Sequence, residues 1–133
     1  MNIMDQLIGT WDATFTHNEM PEPVSGSNQF ERVLDGKFVM WRSAMDHREV
    51  PDAISMMSDR RSYYFDTRGV VRIFELGLGE DSWTLTLIGD DFSQKSVTRF
   101  VGPDTMQTEG YLSHDGGANW EPDFTVTMRR RTP

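Results

Sequence analysis

Cysteine is absent from the 133 residues, which excludes disulfides, thiolate metal ligands and thiol nucleophiles together. Positive charge is scarce: 13 Lys and Arg stand against 21 Asp and Glu, for a formal charge of −8. Such a surface repels a phosphate backbone, so nucleic acid is not an expected partner. The first Lys or Arg is Arg32, preceded by Asp5, Asp12, Glu19, Glu22 and Glu31. This start has neither the basic n-region of a secretory signal nor the arginines of a transit peptide. No apolar run approaches the roughly 20 residues of a membrane-spanning helix. The cytoplasm is therefore the expected compartment, with no membrane partner.

Histidine is rare as well. His17, His47 and His114 stand alone, without HxH or HExxH spacing, so no metal site is expected. Haem would require one of them, His17 or His47, to point into an apolar pocket; otherwise no cofactor is expected. Gly-x-Ser-x-Gly, P-loop and dinucleotide fingerprints are missing, and "GLGED" is a lone Gly-x-Gly in a hairpin.

What the chain has instead is punctuation. Asp35-Gly36, Asp66-Thr67-Arg68-Gly69, Gly79-Glu80-Asp81, Gly89-Asp90-Asp91, Gly102-Pro103-Asp104 and Asp115-Gly116-Gly117 mark turns. Gly supplies positive φ, and Asp closes a turn with its own side chain. Between them lie runs of β-branched and aromatic residues, from "GTWDATFTH" and "KFVMWRSAMDH" to "SWTLTLI" and "DFTVTMRRR". The connections are too short for parallel crossovers. The pattern predicts an all-β, antiparallel up-and-down barrel of about nine or ten strands. "NIMDQLI" spaces Ile3 and Leu7 for a short helical turn, and residues 50–57 read as a short helical or irregular segment.

Period-two alternation gives the expected lining. Lys95 and Arg99 mark the outer face of one strand, which turns Phe92, Gln94, Ser96, Thr98 and Phe100 inward. Met106, Thr108, Gly110 and Leu112 follow on the next strand, then Phe124, Val126 and Met128. Half of this inner set is polar. Polar groups in a packed core cost desolvation unless they are bonded. A ligand cavity is the simpler explanation, the alternative being a closed interior in which they bond one another.

"MMSDRRSYYFD", read as one strand, places Met57, Asp59, Arg61, Tyr63 and Phe65 on a single face, taken as the inner one. The expected ligand-binding set is Phe15, Met40, Met57, Arg61, Tyr63, Glu75, Trp83, Leu85, Gln94, Thr98, Met106 and Thr108. An inward arginine needs a carboxylate, from Asp59, Glu75 or a ligand. The expected function is binding of a small, largely hydrophobic molecule that carries a polar group. The alternative is a cofactor-free cyclase or isomerase in the same cavity. It would use Glu75, Tyr63 or Asp59 as acid or base and Arg61 for an oxyanion; without it, Asp59, Arg61 and Glu75 form a structural ion-pair network. A third possibility is a closed barrel acting through a homodimer interface.

"LIGTWDATF" (residues 7–15) resembles the Gly-x-Trp opening of the calycins, the lipocalin and fatty-acid-binding superfamily. The resemblance implies that Trp11 plugs one barrel end, with Arg129 or Arg130 packed across it. The whole chain, 1–133, resembles small bacterial lipocalin-like proteins classed as a domain of unknown function. The shared elements are "LIGTW", the Asp-Gly hairpin before "KFVMW", "YYFDTRG", "SHDGGANW" and the arginine-rich final strand. That family brings no settled activity. Some related barrels bind haem and others are cyclases or isomerases. "SHDGGANW" itself is similar to the Asp-box, a hairpin turn in which Asp bonds turn amides and Trp packs beneath. That likeness implies a structural role for Asp115, Gly116 and Trp120.

Overall fold

The computed structural model describes residues 3–132. A five-residue helix, α1 (Ile3–Leu7), leads into ten strands. These are β1 (Gly9–His17), β2 (Val24–Val33), β3 (Phe38–Met45), β4 (Ala53–Met57) and β5 (Arg61–Asp66), then β6 (Val71–Leu78), β7 (Ser82–Leu87), β8 (Ser93–Gly102), β9 (Thr105–Ser113) and β10 (Glu121–Arg130). Each pairs antiparallel with the next, and β10 returns to β1, with Trp11 opposite Arg130. Closure removes the sheet edges that would otherwise recruit other chains.

The barrel and its short N-terminal helix match the expectation from sequence. Residues 50–57 do not: most of that segment is β4, paired with β3 from Val39–Met57 to Ser43–Ala53. The run from 56 to 66 is not one strand either. Ser58 Oγ accepts the N–H groups of Arg60 (3.2 Å) and Arg61 (3.0 Å), a side-chain-closed turn that splits the run. Met57 then pairs with Ser62. The odd step between them switches parity: Met57 points in on β4, while Ser62 and Tyr64 point in on β5.

One end of the barrel is shut. Helix α1 is too short to be stable alone, yet Ile3, Met4 and Leu7 are buried. Its last carbonyls, which have no intrahelical partner, are taken by two side chains of the barrel. Trp11 Nε1 donates to Leu7 O (2.9 Å), while Arg130 donates from Nη2 to Gln6 O (2.7 Å) and from Nη1 to Ile8 O (2.8 Å). The cation also suits the negative end of the helix. The guanidinium lies 4.2 Å from the Trp11 ring centroid and is held from outside by Asp104 (3.1 Å). Arg130, not Arg129, fills the role implied by the resemblance.

Gly9 makes this possible, because its φ of +137° and missing Cβ admit Arg130 Nη1 to 3.1 Å of where a methyl would sit. Beneath the plug, Phe30, Met57, Trp83, Met106 and Met128 form the core floor.

Gly9→Ala is expected to cost about 1–3 kcal/mol through backbone strain and displacement of Arg130. In a double-mutant cycle read by urea unfolding, Arg130→Met should then cost less than it does in the wild-type background. Strict additivity would mean that the two residues do not share this space.

Candidate functional site

The opposite end is open. A cavity of about 440 Å³ lies above the floor. Apolar wall comes from Phe15, Trp41, Met45, Phe92, Leu112, Phe124 and Val126, while Ser43, Ser55, Gln94 and Ser96 open onto it. A recess of about 200 Å³ shares Trp41, Ser55, Tyr64 and Ser96 with it and reaches Ser62, Phe74 and Leu85.

Several polar groups of this wall satisfy one another. Thr98 and Thr108 share a hydroxyl hydrogen bond of 2.7 Å. Trp41 Nε1 donates to Asn28 Oδ1 (2.7 Å), which also fixes the Trp41 ring against Phe30 and Trp83. Ser62 Oγ, fully buried at the recess, has no partner among the described residues, an arrangement that costs about 1–3 kcal/mol.

Charged groups sit at the rim. Tyr64 donates to Asp66 Oδ2 (2.7 Å), and Arg68 grips the same oxygen from Nη2 (2.6 Å) and Nε (3.1 Å). Burial, reinforced by Asp66, pushes the Tyr64 hydroxyl up to about 12. The Arg68 guanidinium foremost holds the Asp66 carboxyl well below its ordinary range. Tyr64 therefore stays a neutral donor and Asp66 an anion at neutral pH, a fixed wall rather than an acid–base pair.

His17 lines the cavity with both ring nitrogens engaged. Nδ1 accepts the Glu19 N–H (3.0 Å), so the proton sits on Nε2 and is donated to Asp123 (2.8 Å). Binding haem through His17 would require breaking one of these bonds, and His47 is exposed on the β3–β4 connection. The His17 environment does not fit a haem ligand.

Arg72 enters from β6, opposite Tyr64. It donates from Nη1 to Gln94 Oε1 across the barrel wall (3.0 Å) and lies 5.5 Å from the Phe92 centroid.

Of the residues expected from sequence, Phe15, Gln94, Thr98 and Thr108 line the cavity and Leu85 lines the recess. Met57, Trp83 and Met106 point inward but belong to the floor. Met40 is turned outward, because Val39 and Trp41 take the inner face of β3. The parity switch puts Arg61 and Tyr63 on the outer face of β5. Glu75 is on the outer face of β6, where it meets Arg61 at 3.7 Å with both side chains more than half exposed. Asp59 is exposed in the β4–β5 turn. The acid–base set expected for a cyclase or isomerase thus lies outside the cavity.

The cavity also takes in Tyr64, Arg72 and Trp41, which are absent from the set expected from sequence. For Tyr64 a signal existed: "YYFDTRG" carries an Asp that closes its own turn, with Asp66 Oδ1 accepting the Arg68 N–H at 2.9 Å.

"SHDGGANW" joins β9 to β10 at the open rim. Asp115 accepts from the Asn119 N–H (2.9 Å), the Asn119 side-chain amide (2.7 Å) and the Ser113 hydroxyl (2.7 Å). Gly116, at φ +69°, takes the left-handed turn position. Trp120 stacks under Lys95 Nζ, 4.5 Å from its ring centroid.

The sequence matches no family model and no curated protein. Solved structures share the fold at low identity. The S-type phycobiliprotein lyase of Guillardia theta gives a TM-score of 0.61 at 13% identity, covering 100% of this chain and 94% of that one. A DUF3598-family protein of unknown function from Nostoc punctiforme gives 0.64 at 14%, over 96% of this chain and 49% of that one. A redesigned β-barrel, mFAP1, bound to DFHBI gives 0.53 at 13%, over 98% and 100%. The chain has a lipocalin-like barrel fold.

Asp115 sits at about 2, below its ordinary 3.8, mainly through the Asn119 amide. A depressed carboxyl stabilises the fold above its unfolded pKa, and that contribution is lost as pH falls through the folded value. Asp115→Asn should therefore melt below wild type at pH 7, with the gap closing between about pH 4 and pH 2. Thermal melts across that range check it; a gap independent of pH would show that the carboxylate charge is not what holds the turn.

Proposed function

We propose that this protein binds a small, largely apolar molecule carrying a polar group inside the barrel. The observation that carries the reading is the cavity itself. Its volume of about 440 Å³ lies within the roughly 300–1,000 Å³ of small-molecule sites, and its wall combines aromatic rings with a few fixed polar groups. A barrel built for stability alone would fill this space with Val, Ile and Leu. Ser43, Ser55 and Ser96 line it instead. Two barrels of the same fold, one a phycobiliprotein lyase and one bound to DFHBI, support the reading. The Trp11–Arg130 plug supports placing the chain among calycin-type barrels. The Asp115 turn supports an Asp-box hairpin in a structural role.

The test is fluorescence titration with N-phenylnaphthylamine, a neutral apolar probe. Wild type is expected to bind it saturably. Ser96→Phe, which places a ring in the cavity, should abolish the signal while circular dichroism shows the barrel intact. Equal binding by both proteins would mean that the probe lies elsewhere and that the cavity is not the site.

A further inference from the structure

We propose that the polar group of the ligand is an oxyanion of the carboxylate class and that Arg72 binds it; this rests on the cavity-binding reading above. The charged groups lining the cavity are Arg68, Arg72 and Asp123, with His17 beside them. Three of the four are committed to one another or to the rim. Arg68 is spent on the buried Asp66 carboxylate, and Asp123 accepts from His17. Arg72 differs: among the described residues it forms no ion pair, and its one hydrogen bond uses Nη1 towards Gln94. A guanidinium has five N–H donors arranged as a fork that matches a carboxylate.

The strand that carries Arg72 has apolar residues on both faces. On β6, Val71 and Ile73 are 62% and 50% exposed, while Arg72 between them points into the barrel. Arg72 shares the inner face with Phe74, Leu76 and Leu78, so the register that buries these three also carries the guanidinium into the barrel. Arg72 is the one cation on that inner face, and it lines the cavity. Gln94 and the Phe92 face hold the guanidinium in place without neutralising it, and Tyr64 directly across remains neutral. The remaining N–H groups are free for an oxyanion, while Trp41, Phe15 and Phe124 offer surface for the apolar body.

A matched pair of probes separates the charge from the body. Anilinonaphthalene sulfonate and N-phenylnaphthylamine share the same rings and differ in the sulfonate. Wild type should bind the anionic probe at least tenfold more tightly. Charge-assisted hydrogen bonds of about 1.5–3 kcal/mol correspond to roughly 10–100-fold in affinity. Arg72→Met should therefore weaken the sulfonate by about tenfold or more and leave the neutral probe within about twofold. Arg72→Lys, which keeps the charge and loses the fork, should fall between. The neutral probe also reports whether Arg72→Met is folded around an intact cavity, and Ser96→Phe should abolish both signals. If the sulfonate binds wild type and Arg72→Met alike while the neutral probe still binds, the anion assignment is wrong and the cavity reading stands. If the neutral probe fails to bind wild type, the cavity reading falls and the anion assignment with it.

Discussion

Everything in this barrel depends on the contact between Trp11 and Arg130. The indole and the guanidinium stack at 4.2 Å where the first strand meets the last, so the same pair zips the sheet closed and seals one end. The three carbonyls they cap are those the short helix cannot satisfy itself, and the helix in turn buries Ile3, Met4 and Leu7 over the plug. With that end packed by a floor of Phe30, Met57, Trp83, Met106 and Met128, the free volume of the interior lies at the other end.

The open half follows different rules. Its polar side chains are partly self-satisfied, as with Thr98 and Thr108 or Trp41 and Asn28, and partly turned to the cavity, as with Ser43 and Ser96. The rim groups hold one another through hydrogen bonds. Tyr64 is held protonated, Asp66 is held ionised, and His17 is locked in one tautomer. Arg72, inward and in no ion pair among the described residues, places a guanidinium on the cavity wall.

How far the site could be read beforehand varied from strand to strand for a physical reason. On β8, Lys95 and Arg99 have to face water, so Gln94, Ser96 and Thr98 were legible as lining. β6 has no such marker, because Arg72 sits on one face and Glu75 on the other, and the apolar residues are divided between them. On β5 the alternation was visible, but its phase was lost at the Ser58 turn. One residue of misjudged parity exchanged Arg61 and Tyr63 for Tyr64. Arg72 on β6 points inward, and Arg61 on β5 points outward.

The sequence by itself determined the antiparallel barrel, the short helix and the hairpin at Asp115, because each depends on local signals: turn residues, period-two alternation and side chains that bond their own backbone. Only the tertiary structure decided which arginine faces the interior, which end is sealed and where the cavity lies. Those depend on strand register, and register is fixed by pairing across turns, where one residue more or less carries every side chain of a strand to the other face.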